Sequence, residues 1–160
     1  MLNSEQLINK VKSYNKFLDP DKLTKAYAFA IKAQYFHWNV EGSHFRSYHK
    51  FFQELYQEVS KNSIDQIAEY IRTLDTYTPG SFERFADLSV IQGQLKVPRA
   101  MIMMEELLED NYKLESILKQ SFESAGAEKN RGIENFIAER LDAHAKHRWM
   151  LKSFLKEGRE

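Results

Sequence analysis

The chain contains no cysteine, which excludes thiolate metal sites, disulfide scaffolding and cysteine nucleophiles and is compatible with a reducing compartment. A surplus of charge of either sign is also missing. Lysine plus arginine and aspartate plus glutamate number 23 each, so the chain as a whole has no basic surplus to hold nucleic acid by counterion release. No apolar run approaches the roughly 20 residues that cross a bilayer, and the start, MLNSEQLINK, lacks the apolar centre of a signal peptide. The expectation is a cytoplasmic protein with no membrane association. Proline and glycine are scarce, at three and six, and they fall at a few points. Between those points no segment shows the two-residue alternation of a half-buried strand, so the chain divides into long helical stretches.

What is present is apolar residues at helical spacing. With 160 residues the chain suits one compact domain with a sizeable core. Residues 4–17 read as a short helix, with Ser4 as cap and Leu7, Ile8, Val11 and Tyr14 on one face, inside an N-terminal extension covering 1–19. Pro20 opens a first long helix to about Val40, with Leu23, Tyr27, Ala30, Ile31, Gln34 and Trp38 at helical spacing. A second begins near His44–Arg46 and runs to about Leu74 on a broad stripe that includes Tyr48, Phe52, Leu55, Val59, Ile67 and Ile71. Residues 75–98 form a long crossover in which SFERFADL makes one or two helical turns. A third helix follows Pro98 to about Ser124, ended by Gly126, and a fourth runs from about Glu128 to Phe154 on Ile133, Phe136, Ile137, Leu141, Ala145, Trp149, Leu151 and Leu155. The fold class is therefore all-α: a four-helix bundle over 20–156, with a short helix in the crossover between the second and third helices, then a tail at 157–160. Met101, Met103 and Met104 read as packing, since flexible thioethers at a helix start fill core gaps.

The chemistry concentrates between His37 and Glu69. His37 ends the first helix; after a break at Glu41, Gly42 and Ser43 the next carries His49, Glu54, Glu58, Asp65 and Glu69. Each histidine alone is compatible with an ordinary hydrogen-bonded core residue. Flanking one helix junction with carboxylates beyond them, the two look like ligands for Fe(II) or a related divalent ion. A di-iron site inside one bundle is disfavoured, because that site uses a Glu-x-x-His pair on each of two helices, and the one match here, Glu41 to His44, falls in a turn.

The segments HWNVEGSHF, YHKFF, DQIAE, PGSFERFADLS, VPRAM and HRWMLKSFL, in that order, resemble the Dps family of mini-ferritins over about residues 20–155. The resemblance implies a ferritin-like bundle and a shell of twelve identical subunits. It also implies Fe(II) oxidised preferentially by hydrogen peroxide, and storage of the iron as ferric mineral. In the family the ferroxidase centre lies between two subunits, with no catalytic residues apart from the metal ligands. One subunit supplies two histidines, matched by His37 and His49; its partner supplies an aspartate and a glutamate, matched by Asp65 and Glu69; Trp38 matches a tryptophan beside the site.

The chain departs from the family pattern in two places. The family's aspartate four residues after the second histidine is replaced by Gln53, and one extra residue lies between the Tyr56 position and Asp65. In an ideal helix the family's eleven-residue step returns to within about 20°, whereas the twelve steps from Gln53 to Asp65 leave about 120°. Either a π-bulge near Glu58–Ser63 absorbs the extra residue or the ligand set has changed, with Gln53, Glu54 and Glu58 as further candidates. The acidic residues near the start of the last helix, where family shells have pores, are replaced by Gly126, Arg131 and Asn135, with Glu128 and Glu134 close by. Lys10, Lys12 and Lys16 are moderated by Glu5 and Asp19, which disfavours direct DNA binding. The alternative function is a shell with impaired iron chemistry that serves as a structural or DNA-compacting particle.

Overall fold

A computed structural model describes residues 20–89 and 91–156, and the N-terminal extension and C-terminal tail lie outside the described residues. Scarcity of helix breakers has its expected result. Helix α1 spans Pro20–Asn39, α2 Phe45–Val59, α3 Asp65–Thr73, α4 Phe82–Leu88, α5 Ala100–Ala127 and α6 Arg131–Lys156, and a π-helix, Ser60–Ile64, joins α2 to α3. The segment α2–π–α3 acts as one long helix, so α1, α2–α3, α5 and α6 make the four-helix bundle. Helix α1 packs chiefly on α2, and α5 on α6. Among the described residues there is no strand.

The core is a column of Phe29, Phe36, Phe52, Leu55, Ile71, Met103, Met104, Leu107 and Ile133, each with essentially no exposure. Burial of that apolar surface, at about 25 cal/mol per Å2, is the main force holding the helices together. Met103 and Met104 are fully buried packing residues, as expected. Helix α1 corrects the sequence reading. Its buried face is Ala26, Phe29, Ala30, Ala33 and Phe36, continued by Val40 just past its end, whereas Ile31 and Trp38 are exposed on the opposite side. Both faces carry apolar residues, so periodicity alone could not select between them. Trp149, counted among the apolar residues of the last helix, is likewise 65% exposed.

The turns follow local chemistry. Gly42 has φ +116 between α1 and α2, a conformation that side chains with a Cβ rarely adopt. Ser81 caps α4 by accepting from the Arg84 amide at 3.2 Å, and Asn130 Oδ1 accepts from Ile133 N at 3.3 Å at the start of α6. Thr78 Oγ1 donates to the Ala68 carbonyl at 2.9 Å, and Gln94 Nε2 donates to Glu106 Oε1 at 2.7 Å. These two bonds pin the crossover to α3 and α5.

The end of α5 is a second correction. Gly126 does not stop the helix, which continues to Ala127. Lys129 takes the left-handed turn at φ 56. Its amide donates to the Gly126 carbonyl at 3.0 Å, and the Asn130 amide donates to the Ala125 carbonyl at 2.9 Å. That pair of bonds satisfies the last carbonyls of the helix whatever residue occupies the turn.

Candidate metal centre

The antiparallel pairing of α1 with α2 brings His37, in the last turn of α1, against His49, in the second turn of α2. The two rings stack with centroids 3.8 Å apart and planes 26° apart. The hydrogen bonds are reciprocal: His37 Nδ1 donates to the His49 carbonyl at 2.7 Å, and His49 Nδ1 donates to the His37 carbonyl at 2.7 Å. Since both partners are carbonyl oxygens, each Nδ1 must carry a proton. In its neutral form each ring therefore keeps its lone pair on Nε2, the form that binds a divalent metal. The arrangement also satisfies the His37 carbonyl, which lies among the last of α1 and has no intrahelical partner. Tyr56, with its ring centroid 5.5 Å from His37, and Phe45, 4.9 Å from His49, flank the pair.

Asp65 and Glu69 lie one helical turn apart at the start of α3, both exposed. The π-helix Ser60–Ile64 falls where the extra residue called for a bulge. One inserted residue absorbed in a wide turn leaves the helices on either side nearly in phase, so Asp65 returns to within about 20° of the Gln53 direction instead of about 120°. Within one chain the carboxylates and histidines stay apart: among the described residues no cluster of three or more histidine, aspartate or glutamate side chains is placed to hold a metal. A single chain thus holds two separate groups, a histidine pair and a carboxylate pair.

The further candidates are placed differently. Gln53, one turn after His49, is half-buried. Glu54 is exposed, pairs with Lys50 at 3.8 Å and lines a groove with Trp149 and Met150. Glu58 turns into the bundle, where Oε1 accepts from Arg140 Nη2 at 2.5 Å and Oε2 lies 3.4 Å from His147 Nε2. Trp38 is 64% exposed. It lines an apolar groove of about 450 Å3 with Tyr27, Ile31, Tyr35, Phe82 and Phe85, between α1 and α4. Of the residues near the start of the last helix, Arg131 and Glu134 are paired with each other.

A polar layer inside the bundle escaped the sequence reading. Lys32 bridges to Asp110 at 2.6 Å, Glu115 pairs with Arg148, and Glu58 pairs with Arg140. His144 Nδ1 lies 2.7 Å from Asn111 Oδ1, which accepts its proton, while Asn111 Nδ2 donates to the His144 carbonyl at 3.0 Å. Burial and the neighbouring Arg140 and Lys146 outweigh the pull of Glu58 and hold His147 down at about 4. Burial, with His147 and Arg140 nearby, lowers His144 in the same direction. Both imidazoles are therefore neutral at neutral pH. Three inward carboxylates each face a side-chain cation, so fixed protein charges occupy the bundle interior and neutralise its acids. A signal for this layer exists in the sequence. Arg140, His144 and His147 continue the stripe of Ile133, Ile137 and Leu151, and charged residues on an apolar stripe imply partners on the facing helix.

Comparison with known proteins agrees with the fold. A family model described as a ferritin-like domain matches residues 21–160. A low temperature-induced protein of Nostoc sp. (strain PCC 7120) is 34% identical over 136 residues, covering 84% of this chain and 75% of that protein. The DNA protection during starvation protein 2 of Bacillus anthracis is 30% identical over 126 residues, covering 79% of this chain and 86% of that protein. The crystal structure of Dps from Staphylococcus aureus superposes with a TM-score of 0.80 at 26% identity, covering 97% of this chain and 98% of that one. By helix order, crossover helix and sequence alike, the chain belongs to the Dps family of ferritin-like proteins.

Proposed function

We propose that this protein is a cytoplasmic mini-ferritin that binds Fe(II) between paired subunits, oxidises it and stores the ferric product inside a shell of twelve copies. The observation that carries the reading is the reciprocal bonding of His37 and His49, which fixes both rings as Nε2 donors at no cost in unsatisfied groups. Asp65 and Glu69 of a second subunit complete the site and bring two negative charges to one divalent ion. Carboxylate and imidazole together suit Fe(II) and favour its loss of an electron, because anionic oxygen stabilises Fe(III) more than Fe(II). Two Fe(II) ions give one electron each to hydrogen peroxide, whose O–O bond breaks; with two waters the products are two FeOOH units and four protons. The apolar groove at Ile31, Trp38 and Phe82 supports a subunit contact beside the histidines, since exposed apolar faces of that kind mark interaction surfaces.

Fe(II) oxidation followed by peroxide consumption tests the reading. The double variant H37A/H49A is expected to oxidise Fe(II) at least about tenfold more slowly than the parent, the loss typical of disrupted ligation. An unchanged rate in an intact shell refutes it. Gln53 favours a second reading, a shell whose iron chemistry is lost and whose role is structural or DNA-compacting, because a neutral amide ligates iron more weakly than carboxylate. Retarded DNA in a low-salt gel, with no iron oxidation in the same preparation, is the result that selects it.

A further inference from the structure

We infer that Arg140 is a positioning residue for the carboxylate half-site: from α6 it clamps the π-helix and so sets the rotational phase of Asp65 and Glu69. The inference rests on the reading of those two carboxylates as iron ligands. A π-turn closes i→i+5 hydrogen bonds but is rare beside the α-turn, so contacts from neighbouring elements help decide where it persists. The segment SKNSI offers little help of its own, since serine and asparagine are weak helix formers. The holding contacts come from Arg140, which is 5% exposed. Its Nη1 donates to the Asn62 carbonyl, in the middle of the π-helix, at 3.2 Å. Its Nη2 donates to Glu58 Oε1, in the last turn of α2, at 2.5 Å. Asn62 Nδ2 closes the triangle by donating to the same Glu58 oxygen at 3.1 Å.

One planar guanidinium therefore ties a residue before the wide turn to a residue inside it, and its fork fixes their relative orientation. His147 approaches Glu58 from the other side at 3.4 Å and limits its movement. Arg140 itself sits on the stripe that buries Ile133, Ile137 and His144, so its backbone is set by the core. Asn62 is only three residues from Asp65. If the extra residue were released from the clamp, the helix could redistribute it toward α3 and rotate both carboxylates by up to one residue's turn, about 100°. Arg140 touches no metal; it acts through the phase of α3.

The test is cobalt(II) binding by the intact assembly, read from the ligand-field absorption of the metal, with H37A/H49A defining background. The variant E58Q/R140M removes both charges at once and leaves no buried ion unpaired. It is expected to bind cobalt about tenfold more weakly or more, the range seen when supports of metal ligands are removed. Deleting Lys61 from that variant removes the surplus residue, restores a continuous α-helix in phase, and is expected to return affinity to within about threefold of the parent. A role confined to core stability does not produce that rescue. Parent-like binding by E58Q/R140M overturns the inference, and so does a folded deletion variant that stays weak. Absence of histidine-dependent cobalt binding in the parent refutes instead the ligand reading, and the inference with it. Should E58Q/R140M lack native helicity, R140K takes its place: its ammonium keeps the charge but not the fork, and the same loss and rescue are required.

Discussion

Acid should destabilise this protein through His147 before most of its carboxylates titrate. The imidazole is buried among Glu58 from α2 and Arg140, His144 and Lys146 of its own helix, and its folded value is near 4 against an ordinary 6.5. A depressed folded value means the neutral form is the one the fold accepts. Above 6.5 both folded and unfolded chains are neutral here and the full stability is present. Between 6.5 and about 4 the unfolded chain takes up a proton that the folded chain refuses, so stability falls as pH falls. At about 1.4 kcal/mol per unit, that interval corresponds to a loss of about 3 kcal/mol from this one residue. His144 shifts in the same direction and adds to the slope. Guanidinium unfolding at fixed protein concentration, followed by circular dichroism from pH 7 to 4, measures the total. H147Q separates out the single residue, because glutamine does not titrate and His144 stays in both proteins. The stability gap between parent and H147Q should narrow by about 3 kcal/mol over that range. Parallel curves would show that His147 does not carry the linkage.

The Lys32–Asp110 pair offers a sharper perturbation of the same interior. K32M leaves the Asp110 carboxylate buried with, among the described residues, only the half-exposed Lys113 at 3.5 Å, and should cost about 3 kcal/mol in a denaturant titration; adding D110N should recover at least half, since the penalty lies in the unpaired charge. At the end of α5, K129G removes a side chain from a φ of 56. It should stabilise the protein by roughly 0.5–1 kcal/mol, seen as a higher melting temperature, and a fall would mean the lysine side chain compensates for its backbone.

How much was legible in the sequence differs from element to element, for physical reasons. The long helices, the capped crossover helix and the junction at Gly42 were legible, since periodicity and backbone chemistry are local properties. The inward side of α1 was not, because Ile31 and Trp38 make its outer face as apolar as the face carrying Phe29 and Phe36. A side chain's burial depends on what packs against it, and that is a property of the assembled bundle.

The candidate metal-binding residues divide in the same way. Sequence alone placed metal-capable side chains, His37, His49, Asp65 and Glu69, around the first helix junction, and its resemblance to the family singled those four out and counted one residue too many before Asp65. It left two outcomes for that residue, a bulge or a changed ligand set, because helix phase after an insertion depends on where the strain is absorbed. Tertiary structure decided in favour of the bulge at Ser60–Ile64, with Arg140 arriving from a helix 78 positions away to hold the Asn62 carbonyl. It alone also decided the proton on each imidazole. His37 and His49 donate across the α1–α2 contact to each other's carbonyls, a pairing that exists only once the two helices lie side by side.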